Sequence, residues 1–251
     1  MKILVTFAVA NEFAAWRRQH DFRQIAHEPF GLYVAEIAGN TVRALLTGMG
    51  TAAATEATRW ALESPADICI SSGFTGALNA ELGVGAIVAG RVVLRAEREL
   101  AVAGDHQLLA VAQDAGALHV DRFLTSEHLI ADAAQKVALA AEADVVEMES
   151  FVILAEAARH GVRAAAIRAV SDTASCSLPY DFDQARDARG QIKMSALLSQ
   201  VLSQPQRLPA LLRFARDCRF AARELADFLD QYLRLLSARL DLSQSEMVAA
   251  T

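Results

Sequence analysis

At 251 residues the chain is long enough to bury one large core, and an α/β architecture of this size commonly forms one domain. Its 53% apolar and 22% charged residues describe an ordinary globular protein, and a net charge of −6 argues against nucleic acid, whose phosphates need a basic face. Three widely spaced cysteines, Cys69, Cys176 and Cys218, lack metal-ligand spacing, so no metal is expected and a reducing, cytoplasmic compartment is the plain reading.

In chain order, residues 3–10 read as a buried strand and 12–19 as a helix. Asn11 and Glu12 interrupt the opening apolar run, which makes it too short for a signal peptide. Residues 31–37 and 41–47, separated by Gly39-Asn40, read as a hairpin of edge strands. A Gly48-Met49-Gly50 turn leads into a helix over 52–62, and 67–72 is a short apolar strand followed by a loop, Gly73-Phe74-Thr75-Gly76. A strand over 86–94, a helix over 105–116, an extended piece at 122–124 and a helix over 130–142 come next. Residues 145–148 read as a short strand, 150–159 as a helix and 164–170 as a strand. Such alternation implies a central sheet covered on both faces by helices. Residues 175–205 break the pattern and read as a loop or lid. From Pro205 a helical extension runs towards Leu240, with a loose tail after about 243. No stretch of about 18 apolar residues is present, so no membrane-spanning helix is expected.

The chemistry is expected at strand ends. In open α/β sheets ligands bind outside the carboxyl ends of strands, where glycine lets backbone approach closely. The Gly48–Gly50 and Gly73–Gly76 turns fit that place, although two ordinary tight turns would look the same. No GxGxxG follows the first strand, and neither a GxxxxGK[ST] loop nor a GxSxG elbow occurs. The candidates that remain are carboxylates: Glu12 after the first strand, Glu147 and Glu149 before a helix, and Asp172 after a strand. Glu147 and Glu149 could equally be there because a helix N-terminus favours negative charge.

Val146-Glu147-Met148-Glu149 and Ile167-Arg168-Ala169-Val170-Ser171-Asp172 resemble the paired motifs of the nucleoside phosphorylase/nucleosidase family. The opening ILVTFAVANEF, the TGMGTAAAT turn and SSGFTGALNAELGVGAIV agree with it in order and spacing, so the likeness covers residues 1–175. The resemblance implies a three-layer α/β/α sandwich around a mixed, partly closed sheet, here residues 1–204, with a C-terminal helical extension over 205–251 and a homodimer or higher homo-oligomer. It implies that Glu12 activates the attacking water and that Asp172 protonates or hydrogen-bonds purine N7. Glu149 would take the ribose hydroxyls and Met148 would floor the ribose. Thr75 and Gly76 would contact sugar or water, and the backbone of Ile130 would read the purine edge. Ser171, Arg168 and Glu147 would support the acid and its surroundings, while Met49 and Phe74 complete the substrate wall.

The chain also departs from that pattern. Where phosphorylases of the family carry an Arg and a Ser to hold phosphate, it has Ser71 and Phe74. Arginine that binds an oxyanion bidentately is not replaced by serine without loss. Hydrolysis of a 5′-substituted adenine nucleoside is therefore expected, with no cofactor. Phosphorolysis, with inorganic phosphate as co-substrate, and a non-catalytic nucleoside-binding protein stay open beside it. Residues 207–223 hold five Arg against one Asp, which is either a solvated helix face or a basic surface touching a membrane. The extension resembles the hopanoid-associated branch of the family, which implies adenosylhopane, a lipid-linked nucleoside, as substrate.

Overall fold

The computed structural model describes residues 1–96, 100–185, 187, 190 and 193–249, and of 194, 197 and 240–249 only the backbone. Part of the expected 175–205 loop thus lies outside the described residues. β1 (Lys2–Phe7) is buried beyond its first residue, as befits a continuous apolar run covered on both faces. Around it are β2 (Arg23–Ala26), β3 (Gly31–Ile37), β4 (Asn40–Leu46) and β5 (Ile68–Ser71). β6 (Phe74–Ala77), β7 (Ile87–Arg95), β8 (Leu100–Ala103), β9 (Leu118–Thr125), β10 (Val145–Glu147) and β11 (Arg163–Asp172) follow. They make one 11-stranded mixed sheet in the order β2-β3-β4-β1-β5-β11-β6-β10-β9-β7-β8.

An extra pairing of β11 with β7 closes β11, β6, β10, β9 and β7 into a ring, while β2 to β5 fan outward. This is the expected mixed, partly closed sheet. α1 (Ala10–Gln19), α3 (His106–Asp114) and α7 (Leu208–Ala249) cover one face, burying Phe13, Trp16, Leu108, Leu225, Leu229 and Tyr232. α2 (Thr51–Leu62) and α5 (Ser150–Arg159) cover the other, burying Ala54, Ala57, Phe151 and Ile153. The buried α7 positions 221, 225, 229, 232 and 236 recur at helical spacing and join the same core as β1, so the extension completes a layer. Among the described residues no helix is long and apolar enough to cross a membrane.

Several expectations need correction. The 31–47 hairpin is not at the edge: β2 covers β3, and β4 pairs in parallel with β1. β2 and β8 escape a sequence reading because both are short and half-exposed, without a clear apolar stripe. Gly73–Gly76 is largely strand β6, because β11 and β10 pair on its two sides and supply the ladder that its glycines do not predict. The helix expected over 130–142 is α4 (Ala133–Leu139): Asp132 accepts the Ala134 and Gln135 N–H groups as N-cap, which fixes a later start. Residues 175–205 include a helix, α6 (Met194–Ser203), and α7 continues to Ala249 where a loose tail was expected.

Candidate active site

The ends of β1, β10 and β11, the turn after β4 and the body of β6 border one cavity of about 370 Å³. Glu12, Met49, Phe74, Thr75, Gly76, Glu147, Met148, Glu149, Arg168, Ser171 and Asp172 all line it. Ile130, also expected at the site, lines a small adjoining recess that shares Gly76, Leu129, Met148, Asp172 and Leu178 with the cavity.

Glu12 stands in the first turn of α1, a helix whose N-cap, Val9, has no polar side chain. Its carboxylate takes over the capping, with Oε2 accepting from the Ala8 and Val9 N–H groups at 2.7 and 3.0 Å. Oε1 accepts from the Phe74 N–H at 2.8 Å, so three backbone donors fix both oxygens. Gly73, at φ 124°, permits this approach: a Cβ there would lie 2.7 Å from Oε1. Burial pushes the Glu12 carboxyl above the usual range, opposed by the Arg168 charge and by these N–H groups. A carboxylate so held can orient a water and take its proton.

Glu147 and Glu149, two positions apart, are used differently. Glu147 Oε2 accepts the Glu149 and Ser150 N–H groups at 2.9 and 2.7 Å, and Oε1 accepts the Thr125 hydroxyl. It therefore serves the N-terminus of α5. Glu149 Oε1 instead accepts the Gly50 N–H at 2.7 Å, reaching the α2 turn across the cavity. Arg168 lies beneath both, its Nη2 at 2.8 Å from Glu147 Oε2 and 3.2 Å from Glu149 Oε2. The same guanidinium donates to Ser150 Oγ, Ser71 Oγ and the Phe74 carbonyl, so each of its three nitrogens is engaged. Burial is the main reason the Glu149 carboxyl is pushed up to about 7, with Arg168 opposing and Glu147 adding to the rise.

At the opposite end a β-bulge sets the geometry. Val170 pairs with Thr75 and Asp172 with Gly76, so Ser171 is the extra residue of β11 and Asp172 is turned toward the cavity. Ser171 Oγ donates to Asp172 Oδ1 at 2.6 Å, and Lys136 Nζ donates to Oδ2. Lys136 is completely buried and was not among the expected site residues. Nothing local marks it, because α4 is short and its neighbours Gln135 and Val137 are exposed. Asp144, just before β10, accepts the Arg122 N–H at 3.0 Å and does not line the cavity. Arg43 is likewise remote, donating to the carbonyls of Ala61, Ser64 and Pro65.

The rest of the wall is mostly apolar: Leu129, Leu178, Phe182, Phe214 and Cys218. The Phe182 and Phe214 rings pack with centroids 5.7 Å apart, joining the 175–205 connection to α7. That connection also meets the α2 turn, where Met49 N–H donates to the Gly190 carbonyl at 3.0 Å. The sequence break after residue 174 was the only hint of these contacts.

The family model described as the phosphorylase superfamily matches residues 2–203. No curated protein matches the sequence. Among solved structures the chain is similar to the 5′-methylthioadenosine/S-adenosylhomocysteine nucleosidase of Neisseria meningitidis in complex with methylthio-immucillin-A, at TM-score 0.73 and 20% identity over 93% of this chain and 98% of that one. The Campylobacter jejuni nucleosidase of the same name aligns at TM-score 0.72 and 17% identity, over 93% and 99%. Helicobacter pylori futalosine hydrolase aligns at TM-score 0.68 and 15% identity, over 92% and 98%.

Proposed function

We propose that this chain, which belongs to the phosphorylase superfamily, hydrolyses the N-glycosidic bond of a 5′-substituted adenine nucleoside. Membership makes it an enzyme, an N-glycosyl hydrolase or a nucleoside phosphorylase. The observation that carries hydrolysis is the state of Arg168. It is the one cation among the described residues lining the cavity, and it is already engaged by Glu147 and Glu149. A phosphate dianion would enter between carboxylates with no free positive partner. A water has an acceptor waiting in Glu12.

In this reading Glu12 takes a proton from water as the sugar becomes oxocarbenium-like. Glu149 accepts the ribose hydroxyls over Met148, and Asp172 protonates or hydrogen-bonds N7 of the departing adenine. Release of free adenine from adenosine, methylthioadenosine and adenosylhopane, each with and without phosphate, tests it. Equal rates without phosphate and a free ribosyl product are expected; strict phosphate dependence with ribose 1-phosphate as product replaces it with phosphorolysis. No adenine from any of them, with folded protein, removes the reading.

The apolar wall of Phe74, Phe182 and Phe214 suits a bulky apolar 5′ group, as in a lipid-linked nucleoside. Near it, Leu202 and Leu212 are 81% and 61% exposed, and Arg213, Arg216 and Arg219 also face solvent. Exposed leucines beside arginines suit a peripheral contact with an anionic bilayer. Co-sedimentation with phosphatidylglycerol vesicles tests this contact: replacing the three arginines by Glu should abolish binding, and equal binding would remove it.

A further inference from the structure

Helix α4 has seven residues, and Lys136 is its only buried side chain. Lysine is among the residues least often fully buried, and a buried ammonium is tolerated only with its donors and charge satisfied. Here all three donors are used: Asp172 Oδ2, the Thr173 carbonyl at 3.0 Å and the Cys176 carbonyl at 2.9 Å. Two further bonds tie the same pieces together, from Leu178 N–H to the Ala131 carbonyl and from Ala133 N–H to Ser177 Oγ. α4 is thus fastened to the end of β11 and to the turn beyond it chiefly by polar contacts. Lys136 does not line the cavity; it stands behind Asp172, whose Oδ2 faces Gly76 on the cavity wall.

We propose that Lys136 is a positioning residue for the leaving-group step: it holds Asp172 against the base, and as the Asp172 proton passes to N7 its ammonium balances the carboxylate left behind. This rests on the hydrolase reading above. Ser171 holds one oxygen and Lys136 the other, so the carboxyl cannot rotate away from the base. The ammonium is also the nearest fixed positive charge to the electron pair that the breaking C–N bond leaves on the purine. Such preorganised charge acts where negative charge develops, and it costs no reorganisation at the moment of reaction.

The test compares wild type, Lys136→Met, Lys136→Arg, Asp172→Asn and the Lys136→Met/Asp172→Asn double variant on two nucleosides. One is adenosine, whose base needs help to leave; the other is N7-methylated adenosine, whose base leaves neutral without a proton. Lys136→Met should lower kcat on adenosine ~100-fold with a much smaller change in KM, and lower it by less than about tenfold on the N7-methylated substrate. The double variant should be no slower on adenosine than the slower single variant, because both changes remove one device. Lys136→Arg, which keeps the charge, should recover part of the rate and serves as the probe if the Met variant does not fold. Equal losses on both substrates, or losses with Asp172→Asn that multiply, would show a merely structural lysine and overturn the proposal. Wild-type protein that releases no adenine sinks the hydrolase reading and this proposal together. An active wild type with an equally active Lys136→Met sinks only the proposal.

Discussion

The two ends of the cavity balance charge in opposite ways. At the sugar end Glu12, Glu147 and Glu149 share one cation, Arg168, whose field reaches all three. At the base end one carboxylate, Asp172, has an ammonium of its own in Lys136. The first arrangement leaves a surplus of negative charge and the second leaves none. Breaking an N-glycosidic bond makes the sugar positive and the base negative, so with the substrate placed as proposed the asymmetry runs in the direction that this charge separation needs. Glu12 also relies on backbone donors where Asp172 relies on side chains.

The most damaging way to upset this contrast is Arg168→Met. It strands Glu147 and Glu149 without their cation in a buried site, and a loss of about 3–5 kcal/mol in stability is expected, read by thermal or urea unfolding. A change under about 1 kcal/mol would mean that backbone donors alone satisfy the sugar end.

Glu12→Gln should lower kcat for adenine release ~10²–10⁴-fold, with about 1–3 kcal/mol lost from unfolding because its amide NH2 faces a backbone N–H that a carboxylate oxygen accepts in the wild type. The loss in kcat should be similar whichever base leaves, in contrast to changes at Lys136. A loss that depended on the base would blur the division between the two ends.

Glu149→Gln bears on pH. Its carboxyl, ordinarily near 4.5, is pushed to about 7 in the folded protein. The stability linked to its proton is therefore fully present below 4.5 and lost as pH rises to about 7. Glu149→Gln, which never ionises, should gain on wild type across that window by about 3 kcal/mol, read as a growing difference in Tm. With Glu149 in its proposed role, where the anion accepts both ribose hydroxyls, kcat/KM of wild type should fall below pH about 7, and this limb should vanish in the variant. A Tm difference that is flat with pH would contradict the burial argument.

Smallest is Gly73→Ala. A Cβ at φ 124° meets the Glu12 carboxylate, so a cost of about 1–3 kcal/mol is expected, with reduced kcat and nearly unchanged KM. Unaltered kcat would mean that Glu12 tolerates displacement.

Much of the site was legible before any fold was known. Glu12, Glu149 and Asp172 stand at ends of apolar runs, and the cavity gathers them as expected. The alternative reading of the VEME acids as helix-end groups also holds, but for Glu147, since its carboxylate serves the α5 N-terminus while that of Glu149 crosses to Gly50. Spacing could not separate the two, because two positions along a chain differ in partner only when the partners are in place. Ile130 lines the recess that adjoins the cavity, beside Asp172, and its neighbour Leu129 lines both.

By itself the sequence determined the alternation of strands and helices, the carboxylates at their junctions and the missing phosphate-binding residues. All of these depend on side-chain type and on neighbours within a few positions. Tertiary structure alone decided that β6 is a strand and that β11 closes a ring with β7. It also decided that Ser171 is a bulge and that Lys136 is buried. Each needs a partner far along the chain: Asp172 lies 36 positions beyond Lys136, and Thr75 lies 71 positions before Val146, whose carbonyl accepts its hydroxyl. A lysine without that carboxylate would stay in water, because burying an unpaired ammonium costs more than a seven-residue helix can offset.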